Sequence, residues 1–124
     1  MVMKKILTLI FCIFTLSANV IAKETTFNKK SFEKALSQGK TVVVSSWIKY
    51  CTSCASQMKV LNKAKDDFDN IEYFTFDVTI EEIAEFFNVQ YQTTLLIFKD
   101  NNEVYRSIGE TNKDLIYKAI RSSI

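Results

Sequence analysis

The stretch Thr41–Cys54, TVVVSSWIKYCTSC, joins a β-branched and apolar run to two cysteines that lie three positions apart. Residues Thr41–Trp47 have the composition that is typical of a buried strand. Residues Thr52–Phe68 carry apolar side chains at helical spacing, so the sequence predicts a helix there. The cysteines therefore lie where a strand ends and a helix begins, which is where open α/β sheets usually place their functional sites.

The rest of the chain alternates between helical and extended patterns. Further helices are predicted over Ser31–Gln38, from a capping box at Thr79–Glu82 to Phe87, and over Thr111–Ser122. Further strands are predicted over Ile71–Val78, Thr94–Phe98 and Glu103–Ile108, the last two paired as an antiparallel hairpin. This order predicts an α/β fold, in which a four-stranded mixed sheet lies between two layers of helices. The last helix is expected to face inward with Leu115, Ile116, Ala119 and Ile120.

Length and composition indicate one globular domain. The chain has 124 residues, of which 48% are hydrophobic, and its 10 Phe and 5 Tyr suffice for a compact core. Without Lys4 and Lys5, the basic and acidic residues are equal in number. Nucleic-acid binding is not indicated, because it needs a clustered basic surface.

The first 22 residues have the pattern of an export signal. Lys4 and Lys5 form a positively charged start, Ile6–Leu16 form an apolar centre, and Ala22 ends a segment suited to signal peptidase. We therefore expect cleavage after Ala22, a domain over residues 23–124, and a location in the periplasm or outside the cell. The alternative is an uncleaved signal that anchors the protein to the inner membrane, although the apolar run is shorter than a typical spanning helix.

Cys51 and Cys54 are an even pair in a compartment that permits disulfides, since Cys12 lies within the predicted signal. At a helix N-terminus, unpaired backbone N–H groups and the helix dipole favour the thiolate form of Cys51, which is the nucleophile. Cys54 lies one turn later and can reach the first sulfur. The spacing is thus suited to thiol–disulfide exchange, in which Cys51 attacks and Cys54 resolves the mixed disulfide.

Other uses of two cysteines are less well supported. A structural zinc site needs four ligands, and the chain has no histidine, so zinc would have to be shared between two chains. Covalent haem attachment needs a histidine after the second cysteine, where Ala55 stands. A cuprous site of two thiolates, helped by Met58, and a purely structural disulfide remain as alternatives.

The resemblance to the thioredoxin family runs over nearly all of residues 23–124, and four segments carry it, of which Val42–Val44 is similar to the family's central strand. Trp47–Cys54 is similar to the family's W-x-x-W-C-x-x-C motif, with Tyr50 in place of the second tryptophan. Phe76–Val78 is similar to a family strand that ends in Asp. Asn88–Asn101 is similar to the V-x-x-x-P-T-L-L-F-K-N-G segment, and Gly109 is similar to the glycine that ends the last strand. The export signal and the Tyr-Cys-x-x-Cys form are also similar to the periplasmic carboxyl-terminal domain of the disulfide-reductase conduit.

The resemblance implies a thioredoxin-like fold and a role for each matching residue. Cys51 would be the attacking thiolate and Cys54 the buried resolving thiol of a redox-active disulfide. Trp47 and Tyr50 would shape the surface that binds substrate, and Trp47 is equally expected to contribute to the core. Thr93 would lie in the loop that pairs with substrate backbone. No cofactor and no metal are implied, because the thiols are the redox centre.

Three departures from the family pattern bear on activity. Thr93 replaces the family's cis-proline, and because a cis bond before another residue costs about 2.5–4 kcal/mol, we expect a trans peptide and a reshaped loop. Ser45 takes the place of a buried aspartate, so deprotonation of Cys54 lacks its usual base. Lys59 replaces a helix-kinking proline, which predicts a straighter helix.

These features predict an exported thiol–disulfide oxidoreductase. Thr52-Ser53 lies between the cysteines, and no histidine stabilises the Cys51 thiolate, which favours a reductase over an oxidase. Its partners would be disulfide-bearing exported proteins and a membrane or periplasmic electron donor, and we expect a monomer. A thioredoxin-like binding module that has lost efficient catalysis is the main alternative, and a thiolate metal carrier is a third.

Overall fold

The structure is a computed structural model that describes residues 25–124, so the predicted signal and its cleavage point lie outside the described residues. None of the helices formed by residues 25–124 has the length and apolarity to cross a membrane. The elements follow in the order α1 (Lys29–Ser37), β1 (Thr41–Trp47), α2 (Thr52–Asp67), β2 (Ile71–Asp77), α3 (Glu81–Phe87), β3 (Thr94–Lys99), β4 (Asn102–Ile108) and α4 (Lys113–Arg121).

The four strands form one mixed sheet in the order β2-β1-β3-β4. β1 runs parallel to β2, with Trp47 opposite Asp77, and antiparallel to β3, with Ser45 opposite Leu95. β3 and β4 form the predicted antiparallel hairpin. The predicted thioredoxin-like architecture, a four-stranded mixed sheet flanked by helices, is therefore confirmed.

Helices cover both faces of the sheet because successive residues of β1 point to opposite sides. Val42 and Val44 lie on the side of α1 and α3, in a core rich in phenylalanine: Phe32, Phe74, Phe76 and Phe87. Val43 lies on the side of α2 and α4, with Leu61, Ile116 and Ile120. Each fully buried side chain of this size contributes roughly 1.5–3 kcal/mol. Packing on this second face holds the start of α2 at the carboxyl end of β1.

The capping box predicted for α3 does not form. The backbone N–H and the hydroxyl of Thr79 both donate to Oδ1 of Asp77, at 2.9 and 2.7 Å. Ile80 is the N-cap instead, without a side-chain bond. A nearby carboxylate competes well for these donors because it is charged. The bonds from the Thr79 hydroxyl and N–H lower the pKa of Asp77.

The last helix begins at Lys113 rather than at Thr111, because the Asn112 side chain accepts the Leu115 N–H at 3.0 Å and acts as the N-cap. The prediction that Leu115 faces inward is wrong, since its exposed fraction is 51%. Tyr117 is buried in its place, and its hydroxyl donates to Asp67 at 2.6 Å. A tyrosine can face the core here because its polar end finds a partner at the surface.

Candidate active site

Cys51 and Cys54 are joined by a disulfide, with 5.2 Å between their Cα atoms. Cys51 is the N-cap of α2, and its sulfur accepts the backbone N–H of Cys54 at 3.2 Å. Cys51 is partly exposed, whereas the exposed fraction of Cys54 is only 2%. The two sulfurs that the sequence proposes as attacking and resolving groups are thus bonded, with the first open to a visiting molecule.

The local sequence places Cys51 in favourable electrostatic surroundings. Its backbone is extended, at φ −97° and ψ 107°, and the helix starts at the next residue, so the first turn's free N–H groups face its side chain. No acidic residue lies in that first turn. The positive end of the helix dipole therefore acts on Cys51 without a competing carboxylate in the turn, which favours a negatively charged sulfur.

Thr93 lies against both sulfurs. Its hydroxyl oxygen is 3.2 Å from Cys54 Sγ, 3.6 Å from Cys51 Sγ and 2.9 Å from the hydroxyl of Ser53. The peptide bond before Thr93 is trans, as expected, and no cis peptide bond occurs in residues 25–124. Thr93 itself has a φ of 60°, which is the left-handed region that a β-branched residue rarely occupies.

Hydrogen bonds from β1, from α2 and from Gly109 after β4 hold Thr93 in this conformation. Its N–H donates to the Ser46 carbonyl at 2.9 Å, and its own carbonyl accepts the Gly109 N–H at 2.9 Å. The amide of Gln57 in α2 also donates to the Thr93 carbonyl, at 3.3 Å, and to the Glu110 carbonyl at 2.8 Å. Because such a conformation costs of order 1–3 kcal/mol, the surrounding bonds must stabilise it.

Gln57 and Tyr73 are two buried polar residues that the sequence interpretation missed. Gln57 lies three residues after Cys54, so a polar side chain on the inward face of α2 was the available signal. Tyr73 is buried, and its hydroxyl lies 2.9 Å from that of Ser45. Burial raises the pKa of Tyr73, so this pair is neutral at physiological pH and supplies no buried carboxylate.

A groove of about 1010 Å³ runs along the other side of the disulfide. Trp47, which is half-buried, and Tyr50, which is fully exposed, both line it, together with Met58. Lys49 and Lys59 contribute the charges, and no carboxylate is among the described residues that line the groove. Trp47 and Tyr50 thus share one surface, while Thr93 is nearly buried on the other side of the sulfurs.

The active-site helix is continuous at the position where the family has a proline. α2 runs without a break from Thr52 to Asp67, through Lys59 at the position of the family's proline.

Within the described part of the chain, no group of three or more histidine, cysteine, aspartate or glutamate residues could hold a metal ion.

A family model described as Thioredoxin matches residues 23–122. The chain is 29% identical over 104 residues to the thioredoxin H-type of Fagopyrum esculentum, covering 82% of this chain and 89% of that protein. It is 28% identical over 93 residues to thioredoxin-1 of Saccharomyces cerevisiae, covering 74% of this chain and 89% of that one.

Solved structures agree with the sequence comparison. Trxlp from Edwardsiella tarda superimposes with a TM-score of 0.69 at 25% identity, covering 75% of this chain and 93% of that chain. A thioredoxin from Nicotiana alata gives a TM-score of 0.68 at 26% identity, covering 77% of this chain and 83% of that chain. The similarity therefore extends over most of the residues that the structure describes.

Proposed function

The chain belongs to the thioredoxin family and is a thiol–disulfide oxidoreductase, and from that premise we propose that it is exported and reduces disulfides in other exported proteins. The observation that carries the proposal is the arrangement of the two sulfurs. Cys51 is accessible at the N-terminus of α2, and the buried Cys54 is bonded directly to it. An accessible attacking sulfur with a protected resolving sulfur suits exchange with a protein disulfide.

The proposed reaction begins with the reduced protein. The Cys51 thiolate attacks one sulfur of the client disulfide, and the other client sulfur leaves as a thiolate. Cys54 then attacks Cys51 Sγ, which forms the disulfide seen in the structure and releases the second client sulfur. The client gains two electrons and the Cys51–Cys54 pair loses them. Trp47 and Tyr50, on the groove beside the disulfide, are proposed to contact the client.

The absence of histidine near Cys51 supports a reductase rather than an oxidase. The chain contains no histidine, so no imidazolium stabilises the thiolate as strongly oxidising pairs require. We therefore expect a reduction potential closer to about −270 mV, typical of thioredoxin, than to about −120 mV, typical of a strong oxidant. Measuring the redox equilibrium of the protein against glutathione tests this direction, and a value near the second figure would contradict it.

Export is supported by the pattern of the first 22 residues, which lie outside the described part of the chain. In this proposal the oxidised pair is reduced by a membrane or periplasmic donor, and the protein works as a monomer. A closer relation to the periplasmic domain of the disulfide-reductase conduit is part of the same proposal. Expression of the full chain in bacteria tests it: the periplasmic fraction should hold protein that begins at Lys23, and a Leu9→Arg variant should stay in the cytosol. Full-length wild type in the cytosol would contradict export.

Insulin reduction by the purified protein, with dithiothreitol as electron source, tests the activity. The wild type should turn over and Cys51→Ala should not, because the attacking sulfur is gone. In a separate reaction from which dithiothreitol has been removed, reduced Cys54→Ala should accumulate mixed disulfides with insulin chains. Ser56→Ala is the matched control, since it changes an exposed residue of α2 close to the cysteine pair without removing a thiol, and it should react like the wild type. Equal rates for wild type and Cys51→Ala would exclude a reductase.

A second candidate, a binding module that has lost efficient catalysis, is favoured by one observation. Thr93 replaces the family's cis-proline with a trans peptide in the left-handed region, so this loop differs where the family grips its substrates. Pull-down with Cys54→Ala separates the two functions. An enzyme gives partners that dithiothreitol releases, whereas a binding module gives partners that stay bound without a disulfide.

A further inference from the structure

We propose that the hydroxyl groups of Thr93 and Ser53 form a proton relay that connects the buried sulfur of Cys54 to solvent. The relay presupposes the exchange reaction proposed above and assigns a role in it to two residues that the family pattern does not provide. It answers a specific need, because Cys54 must lose a proton before it can attack, yet only 2% of its surface is exposed.

The surroundings of Cys54 leave few groups that can accept this proton. In residues 25–124, the one side-chain hydrogen-bond partner of Cys54 Sγ is the Thr93 hydroxyl, at 3.2 Å. The buried aspartate of the family is replaced by Ser45, whose hydroxyl is paired with the neutral Tyr73. The Thr93 hydroxyl is therefore positioned to accept the proton of Cys54.

The contacts of Thr93 continue outward to the surface. Its oxygen lies 2.9 Å from the oxygen of Ser53, which is an exposed residue in the first turn of α2. Thr93 itself is only 3% exposed, so Ser53 links it to water. Each hydroxyl has one proton to donate and two lone pairs to accept with, and can therefore receive one proton while it passes on another.

The backbone at Thr93 supports a functional role for this side chain. Its φ of 60° is unfavourable for a β-branched residue, and four hydrogen bonds around it, including that from buried Gln57, maintain the conformation. A strained residue that its surroundings stabilise is more often found at functional sites than elsewhere. In this case the conformation brings the hydroxyl into contact with both sulfurs.

Cys54 loses its proton while the mixed disulfide is resolved. As the Cys54 sulfur forms its bond to Cys51 Sγ, the bond between Cys51 Sγ and the client sulfur breaks, and the client sulfur leaves with the electron pair. The Cys54 proton passes to the Thr93 oxygen, the Thr93 proton passes to Ser53, and the Ser53 proton passes to water and then to the client thiolate. The products are the protein disulfide and a client thiol.

A chromogenic aromatic disulfide that releases thionitrobenzoate tests the relay without any protein client. Mixed with the reduced protein, it releases one dye molecule when Cys51 attacks and a second when Cys54 resolves the adduct. The first rate reports Cys51, whose sulfur Thr93 and Ser53 also contact, so in each variant the second rate is compared with the first and reports Cys54. Rates are measured from about pH 5 to about pH 9, which brackets the ordinary titration of a thiol.

Thr93→Val keeps the branched shape and removes the hydroxyl. We expect the second release to be at least about tenfold slower at neutral pH, in line with loss of a hydrogen bond to a charged group, and its pH profile to move to higher pH. Thr93→Ser should restore both the rate and the profile. Thr41→Val is the matched control: it removes another buried hydroxyl, at the opposite end of β1, and should behave like the wild type.

Ser53→Ala provides a second test at an exposed position, where folding is not at stake. It should move the second release in the same direction as Thr93→Val, by a smaller factor, because water can replace the Ser53 hydroxyl. A second release that is unchanged in Thr93→Val, or unchanged in Ser53→Ala if Thr93→Val does not fold, would overturn the relay. Failure of wild type to reduce insulin, with the dye result as expected, would contradict the proposed function and leave the relay standing.

Discussion

The hydroxyl groups of Ser45 and Tyr73 lie 2.9 Å apart in the sheet, on the adjacent strands β1 and β2, and both residues are buried. Each hydroxyl satisfies the other, so neither is left without a hydrogen bond in the interior. The pair occupies the region in which the family places a buried carboxylate, and it brings no charge there. The interior next to the active site is therefore polar but neutral.

The Ser45–Tyr73 pair allows a double-mutant cycle on stability. Tyr73→Phe leaves the Ser45 hydroxyl buried without a partner, so the free energy of unfolding should fall by about 1–3 kcal/mol. Adding Ser45→Ala removes the unpaired group and should restore part of the loss. Urea denaturation of the oxidised proteins measures both effects, and two changes that simply add would show that the hydroxyls do not interact.

Two substitutions of Gln57 that are similar in size are expected to differ sharply in their effect on stability. Its amide nitrogen donates to the carbonyls of Thr93 and Glu110. Gln57→Glu puts an oxygen there, so the buried carboxyl must stay protonated to donate, which raises its pKa. A group with a raised pKa supports the fold at low pH, and that contribution is lost as the pH rises through the raised value.

The comparison uses Gln57→Leu, which removes both polar atoms without adding a charge. Near about pH 8, Gln57→Glu should be less stable than Gln57→Leu by at least about 2 kcal/mol, and the gap should close towards about pH 4. Denaturation midpoints at the two pH values measure this. A gap that does not change with pH would mean that the new carboxyl escapes to solvent and that Gln57 is not held as described.

The contact between Tyr117 and Asp67 predicts a defined pH window for stability. The bond from the Tyr117 hydroxyl lowers the pKa of Asp67, while burial, with the same bond, raises the pKa of Tyr117 to about 12. The carboxylate's contribution is present above its ordinary pKa of 3.8 and is lost as the pH falls through the lowered value. The tyrosine's contribution is present below its ordinary pKa of 10.0 and is lost as the pH rises through about 12.

Between the ordinary pKa values of the two groups, 3.8 and 10.0, the free energy of unfolding of Tyr117→Phe should therefore be lower than that of the wild type by a constant amount. Outside this range the difference should shrink. Denaturation midpoints of both proteins across this range provide the measurement. Asp67→Asn is the control, because it keeps an acceptor but removes the acidic titration. If wild type and Tyr117→Phe differed equally at every pH, the hydrogen bond would not be the cause.

Local chemistry explains which parts of the fold were predictable. β1 has the predicted bounds, Thr41–Trp47, because its β-branched residues and the cysteines after it leave little ambiguity. The start of α3 was not predictable from the capping pattern, since Asp77 captures both donors of Thr79. That competition depends on how β2 ends, and a pattern of residue types does not contain it.

Some features of the active site were likewise predictable from the sequence, and others were not. The spacing of the two cysteines at a strand–helix junction predicted that their sulfurs would lie together. The roles of Gln57 and Tyr73 depend on contacts between residues far apart in the chain, with Gln57 reaching Glu110 and Tyr73 reaching Ser45. Thr93 was identified as a departure from the family pattern, but the approach of its hydroxyl to both sulfurs follows from a backbone conformation that the sequence does not reveal.

The groove beside the disulfide predicts a preference for acidic clients. Lys49 and Lys59 line it, and no carboxylate is among its described lining residues, so a negative charge beside a client disulfide should be attracted to this surface. Two model peptides with the same disulfide, one flanked by Asp and one by Lys, test this. At low salt the acidic peptide should be reduced about tenfold faster, in kcat/KM, because complementary charge raises the rate of encounter.

The preference should shrink as salt is added, since these charges are exposed and screened beyond about 8 Å at physiological ionic strength. Replacing both Lys49 and Lys59 by Glu should reverse it. The matched control replaces Lys34 and Lys118 by Glu, which changes the net charge equally at exposed positions that do not line the groove, and it should keep most of the preference. Equal loss in both double variants would assign the effect to net charge and not to the groove.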